Sequence, residues 1–251
     1  MPNVDIPPFS PDAWETVTRL GEAQLMLPSA LALVAWLAWC GERRSAWLWA
    51  ALLGLAVGLT TASKIAFIGW GLGIASLNFT GISGHAMHAA AVFPLLLRCV
   101  VASNGPAAQH FAVALGYAVA LLVAVSRVAV GAHSPPEVAA GFALGGAASA
   151  LSLAFGTVPR IHLPRWLLGA LVVAQLLNPA AAPSLPTHDM VTEVALLLSG
   201  HEKPYTRNMM MRLERQRLKA LQTAMKQRPE APNTPPYNAS AVVFLTSSIT
   251  A

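Results

Sequence analysis

Charged residues in this chain punctuate long apolar runs. Marking every Asp, Glu, Lys and Arg leaves uncharged intervals from Glu22 to Glu42, Arg44 to Lys64, Lys64 to Arg98, Arg98 to Arg127, Glu137 to Arg160 and Arg165 to Asp189. A helix needs about 20 apolar residues to cross a bilayer. The intervals therefore predict an all-α, polytopic membrane protein, a six-helix bundle with spans near Leu25 to Cys40, Ser45 to Ser63, Gly84 to Ala102, Phe111 to Ser126, Val138 to Thr157 and Trp166 to about Ala182. The last is interrupted by Asn178 and Pro179. Three regions follow: a polar N-terminal segment (1–24), a membrane domain (25–182) and a basic C-terminal tail (183–251), partly helical or irregular.

Composition sharpens this picture. Of 251 residues, 55% are hydrophobic and 11% charged, against about 25% charged in a soluble domain. Disorder is excluded on the same ground. The net charge of +5 does not indicate a nucleic-acid partner, because half of the sixteen Lys and Arg lie between Lys203 and Arg228 and the rest of the chain is nearly neutral. Cys40 and Cys99 both fall in apolar stretches and make no disulfide framework. Met1 to Gln24 carries four acidic residues and several prolines. It lacks the basic start and apolar middle of a cleavable signal, so the first span is expected to persist.

Basic residues in short loops orient the spans. Arg43 and Arg44, Arg98, and Arg160 with Arg165 mark the cytoplasmic side. The N-terminus, the loops after spans two and four, and the tail then share the outer face. In the tail, Thr192 to Leu198 and Met209 to Met225 predict short amphipathic helices, the second carrying Arg212, Arg215, Arg217 and Lys219 toward water or headgroups. Pro229 to Pro236 reads as irregular.

Polar residues gather on that outer side. Lys64 ends span two, Ser83, Gly84, His85 and His88 open span three, Ser126 and Arg127 end span four, and His133 and Glu137 lead into span five. One Lys or Arg at a helix end can simply snorkel into the headgroups. Several converging ionisable groups point to a functional site.

Their order and spacing resemble the phosphatidic acid phosphatase type 2 superfamily of membrane lipid phosphatases: Lys64, then Ser83-Gly84-His85, then Ser126-Arg127 with His133 and Glu137. A bare Ser-Gly-His is weak, since the chain repeats it at Ser199-Gly200-His201 with nothing comparable around it. Four positions depart from the family pattern. Gly71 and Leu72 stand where Arg-Pro is usual, Glu137 where Asp is usual, and Ile82 where Pro often precedes the Ser. One cationic phosphate contact is thus missing, and a basic tail residue such as Arg207 is a candidate replacement.

The roles also follow from phosphoryl-transfer chemistry, which needs a nucleophile, donors for the equatorial oxygens and an acid for the leaving group. A neutral imidazole can attack phosphorus when a carboxylate holds its other nitrogen. His133 with Glu137 at i+4 supplies that pair if the intervening turn is helical. Ser134-Pro135-Pro136-Glu137 equally reads as a capping box opening a helix. Both readings stay open and can coexist. The resemblance assigns His85 as the acid that protonates the leaving group. Lys64 and Arg127 would neutralise the phosphate, with Ser83 and Gly84 lending a hydroxyl and close backbone approach.

The resemblance implies a metal-free phosphatase, without cofactor, acting on a lipid phosphate; the composition suits a bacterial inner membrane, and the basic loops put the site on its outer, periplasmic face. Two other readings compete. His85, His88, His133 and Glu137 are types that ligate zinc or iron, although Lys64 and Arg127 then lack a role. A carrier or a degenerate lipid-binding relative would also retain intramembrane ionisable residues.

Overall fold

The structure, a computed structural model, describes residues 10–158, 166 and 187–227. Among these the chain is helical throughout, with one isolated antiparallel bridge between Ile74 and Phe79. The helices are α1 (Pro11–Arg19), α2 (Ala23–Trp39), α3 (Arg43–Trp70), α4 (Gly84–Val100), α5 (Pro106–Ala129), α6 (Pro135–Phe155), α7 (Thr187–Ser199) and α8 (Arg207–Lys226).

Four stretches are long and apolar enough to cross a membrane: Asp12–Trp39, Arg43–Trp70, Pro106–Ala129 and Pro135–Phe155. Gly84–Val100 is apolar but shorter, at 17 residues. The expected sixth span, Trp166 to about Ala182, lies outside the described residues except for Trp166 itself, as does Pro229 to Pro236. The second span runs on to Trp70 rather than stopping at Ser63. The charge of Lys64 predicts a boundary there, but the residue is half-buried and the helix continues past it.

Helix α4 is the centre of the bundle. Ala86, Ala89, Ala90, Ala91 and Val92 are completely buried, and α2, α3, α5 and α6 all pack on it. Small residues permit the approach, as they do at membrane helix interfaces. A Cβ on Gly116 of α5 would lie 2.5 Å from the Cα of Pro94. On α6, Cβ atoms at Gly141 and Gly145 would overlap the carbonyl oxygens of Ser83 and Met87. Pro94 has no N–H to give the carbonyl four residues back. That carbonyl, on Ala90, instead accepts the hydroxyl of Ser149 from α6 at 2.8 Å. Trp49, Met26, Leu33, Leu37 and Leu95 fill the other side of α4, while Trp47, Leu55, Phe111 and Phe155 are exposed outward. An apolar exterior around a tight interior suits a protein solvated by lipid.

The link from α3 to α4 folds back over the end of α3. Gly71 ends α3 in the left-handed conformation, φ 69°, where glycine carries no Cβ penalty. A short 3-10 turn, Ala75–Leu77, and left-handed Asn78 reverse the chain. Ile82 N then donates to Ser63 Oγ at 3.0 Å, tying the approach to α4 onto α3.

The described residues fall into two compact units divided after Met210. In the first, α7 packs along α3, where Gly69 would place a Cβ 3.1 Å from the Ala195 carbonyl oxygen. In the second, the helix from Met211 onward carries Arg212, Arg215, Arg217 and Lys219 at exposed positions.

Candidate active site

The start of α6 builds the first half of the site. Ser134 is the N-cap, with φ −77° and ψ 156°, and Pro135 takes the first helical position, where its missing N–H is no loss. Glu137, one turn in, curls back so that Oε2 accepts the Ser134 backbone N–H at 3.0 Å. The same oxygen lies 2.8 Å from Nδ1 of His133. Capping and imidazole orientation are thus performed by one carboxylate, and the two readings of this segment coexist. A carboxylate accepts, so the Nδ1 proton donates and Nε2 of His133 keeps its lone pair.

Glu137 is fully buried at 0% exposure, and its second oxygen is equally occupied. Oε1 accepts both the backbone N–H and the hydroxyl of Thr80 at 2.6 Å. Nη2 of Arg207 lies 2.8 Å from both carboxylate oxygens. Burial holds the His133 imidazole below the ordinary histidine range, opposed by the bond to Glu137 and its charge, while Lys64 and Arg127 push the same way as burial. The free ring is therefore neutral near pH 7.

The start of α4 is held against this pair. Ser83 N donates to the backbone carbonyl of Glu137 at 3.1 Å, so the two helix N-termini meet. The first-turn amides of α4, at Gly84 and His85, have no partner within the helix. A Cβ on Gly84 would sit 3.8 Å from Nζ of Lys64; the bare backbone leaves the ammonium uncovered. Gly81, in the preceding loop, packs on the Lys64 side-chain stem. His85 is half-buried, within electrostatic reach of Lys64, Arg127, His133 and His88. The α1–α2 turn supports it from behind, where a Cβ on Gly21 would lie 3.1 Å from that of His85.

Arg127 enters from the last turn of α5, with Nη1 donating to Thr18 Oγ1 of α1 at 2.9 Å. Its Nε is buried without a partner in the protein, as are Ser83 Oγ, Thr60 Oγ1 and His88 Nε2. Buried polar groups are normally satisfied. Here several of the orphans belong to residues lining the cationic, histidine-bearing cluster, the arrangement a tetrahedral oxyanion would complete. Among the described residues, no group of three or more His, Cys, Asp and Glu is disposed to hold a metal ion.

Lys64, Ser83, Gly84, His85, Arg127, His133 and Glu137 thus come together from four helices. Ser126 does not join them; it is buried in the core and its hydroxyl returns to the Val123 carbonyl at 2.6 Å. His110 is exposed at the opposite end of α5, and His162 lies outside the described residues. His88 donates a ring N–H to the Gly84 backbone carbonyl of its own helix. The second Ser-Gly-His is structural: His201 Nδ1 lies 2.7 Å from the Gly69 carbonyl, latching the tail to α3. Trp70 is exposed with Leu72, Ile74 and Leu77, as an interfacial anchor would be. Thr80 and Thr18 were not anticipated. Nothing in a lone threonine signals that it orders a carboxylate or an arginine.

The described residues define an all-helical protein with four membrane-length apolar helices, whose helix ends bring basic and histidine side chains together. The model of the PAP2 superfamily matches residues 71–159. The chain is 35% identical over 199 residues to an "Uncharacterized 22.5 kDa protein in cps region" of Klebsiella pneumoniae, covering 77% of this chain and 95% of that one. It is also similar, at 22% identity and a TM-score of 0.46, to the crystal structure of the first transmembrane PAP2 type phosphatidylglycerolphosphate phosphatase from Bacillus subtilis, over 61% of this chain and 79% of that chain. The chain belongs to the PAP2 superfamily.

Proposed function

We propose that this protein is a membrane lipid phosphatase that hydrolyses a phosphomonoester or diphosphate through a phosphohistidine on His133, without metal. The observation carrying the proposal is the 2.8 Å contact of His133 Nδ1 with the buried Glu137 carboxylate, which leaves the lone pair on Nε2 of a ring within electrostatic reach of Lys64 and Arg127.

In this reading Lys64, Arg127, the Ser83 hydroxyl and the first-turn amides of α4 bind the phosphate oxygens. Nε2 of His133 attacks phosphorus, forming a P–N bond as the P–O bond to the lipid breaks. The departing oxygen takes a proton from His85, and Glu137 stabilises the charge on the His133 ring. Water then attacks phosphorus and gives its proton to neutral His85. The P–N bond breaks, its electrons return to Nε2, and inorganic phosphate leaves. His85 must be protonated for the first step while His133 is neutral, so activity follows a bell-shaped pH profile.

Candidate substrates are phosphatidic acid, phosphatidylglycerol phosphate, a polyprenyl diphosphate and a phosphorylated lipid A, in a bacterial inner membrane with the site facing the periplasm. The test is phosphate release from a panel of these lipids by the purified protein with chelator present. Release abolished in His133→Ala supports the proposal. Release that chelator removes and only added metal restores, or turnover unchanged in His133→Ala, overturns it.

A further inference from the structure

The buried carboxylate of the His133–Glu137 pair has a charge partner from beyond the matched superfamily region. Arg207 Nη2 bridges both Glu137 oxygens at 2.8 Å and lies 3.0 Å from Thr80 Oγ1, while Nη1 lies 3.3 Å from the Asn78 carbonyl. The guanidinium is held in place by its own segment. Tyr205 N donates to the Ile68 carbonyl at 2.8 Å, and its ring covers Gly71, where a Cβ would fall 2.7 Å away. Three residues after Arg207, Met210 is buried against Gly73. The segment is therefore pinned on both sides of Arg207, which limits the entropy lost in holding a long side chain still.

We propose that Arg207 is a positioning residue: by bridging Glu137 and Thr80 it fixes the carboxylate and offsets its charge, keeping the His133 ring aimed and unprotonated. This rests on the reading of His133 as nucleophile. The reason is electrostatic. An ionised carboxylate touching an imidazole favours the protonated ring, and a protonated ring cannot attack. A cation on the far side of that carboxylate weakens the pull without releasing the Nδ1 hydrogen bond. The charged and titratable groups facing His133 are Glu137 on its own helix start, Lys64 from α3, His85 from α4 and Arg127 from α5; Arg207 of α8 acts through Glu137. One guanidinium nitrogen makes the bridge, so a Lys ammonium can supply much of the same charge. The position that Gly71 leaves without a basic side chain is closed by Tyr205. The arginine two residues later serves the carboxylate rather than reaching over Gly71.

The experiment compares the pH dependence of kcat/KM for wild type, Arg207→Gln and Arg207→Lys in the full chain, using phosphatidic acid in mixed micelles. The His133 ring is titrated in parallel by nitrogen NMR. Loss of charge in Arg207→Gln is expected to raise the acidic midpoint by about one pH unit and to cut kcat about tenfold. Arg207→Lys should titrate within a few tenths of a unit of wild type. A rate lost equally at every pH, with both midpoints unmoved in Arg207→Gln, makes Arg207 merely structural and overturns the proposal. So does a Lys variant that shifts as far as Gln. If Gln prevents folding, the Lys result decides alone. The NMR midpoint needs no turnover: a shifted ring in a protein that releases no phosphate rejects the catalytic reading while leaving the coupling intact. Turnover through His133 with unmoved midpoints rejects the coupling alone.

Discussion

Gly141→Ala isolates the close helix packing that holds the two halves of the site together. In an exposed helix this change stabilises by up to about 1 kcal/mol, because glycine loses more backbone entropy than alanine. Here the new methyl would overlap the Ser83 carbonyl oxygen and lie 3.2 Å from its carbon and 3.3 Å from the Ala86 Cβ, all on α4. Ordinary contact begins at 3.4 Å, so α4 has to retreat by about 1 Å, at an overpacking cost of about 1–3 kcal/mol. Overpacking outweighs propensity. The displaced residues include Ser83, whose N–H reaches the Glu137 carbonyl at 3.1 Å; the shift stretches that bond and carries His85 away from His133. A misplacement of about 1 Å can cost about 100-fold in rate. The assay is kcat and Tm in detergent, beside Gly54→Ala and Gly58→Ala of α3, where nothing lies within 4 Å of the added carbon. The controls should keep full kcat and equal or higher Tm. Full kcat with a raised Tm in Gly141→Ala would refute the reasoning.

Three further outcomes follow from the same geometry. Glu137→Gln should lower kcat by about 10²–10⁴, since an amide no longer enforces the His133 tautomer, and should destabilise the fold by about 2 kcal/mol because Arg207 loses its anion; unchanged kcat counts against the pair. Because burial holds His133 below the usual histidine value, its lone pair survives into mild acid, so the acidic limb of kcat/KM should lie below about pH 6.5. A limb above that value contradicts the assigned environment. Thr18→Val removes the 2.9 Å anchor of Arg127 and should raise KM about tenfold with little effect on kcat; an unchanged KM would show that Arg127 needs no support.

Much of this was legible in the sequence, for identifiable reasons. Uncharged intervals reveal spans because a charge in hydrocarbon is costly, and the ends of α5 and α6 fall close to where they were expected. The same rule misplaces the end of α3, which runs past the half-buried Lys64 to Trp70. The His133–Glu137 pair is legible from its spacing and from the capping-box pattern, although the turn between them is not helical: Ser134 caps α6 in an extended conformation and Glu137 curls back to reach the ring. Thr80, Thr18 and the Gly141-Gly145 contact were not read. Their contribution depends on which distant helix they meet, and only Gly-x-x-x-Gly spacing offered a local sign. Only its charge marks Arg207 in the sequence. The sequence suggested a phosphate contact, whereas the structure sets it on Glu137.

The central claim is that His133 Nε2 forms a covalent bond to phosphorus. Rapid quenching of the purified protein during turnover of a radiolabelled lipid phosphate tests it directly. The account predicts an acid-labile, base-stable label on the peptide containing His133, formed and consumed at rates compatible with kcat and absent in His133→Ala. Label on another side chain, or steady turnover with no labelled protein at any quench time, would contradict it.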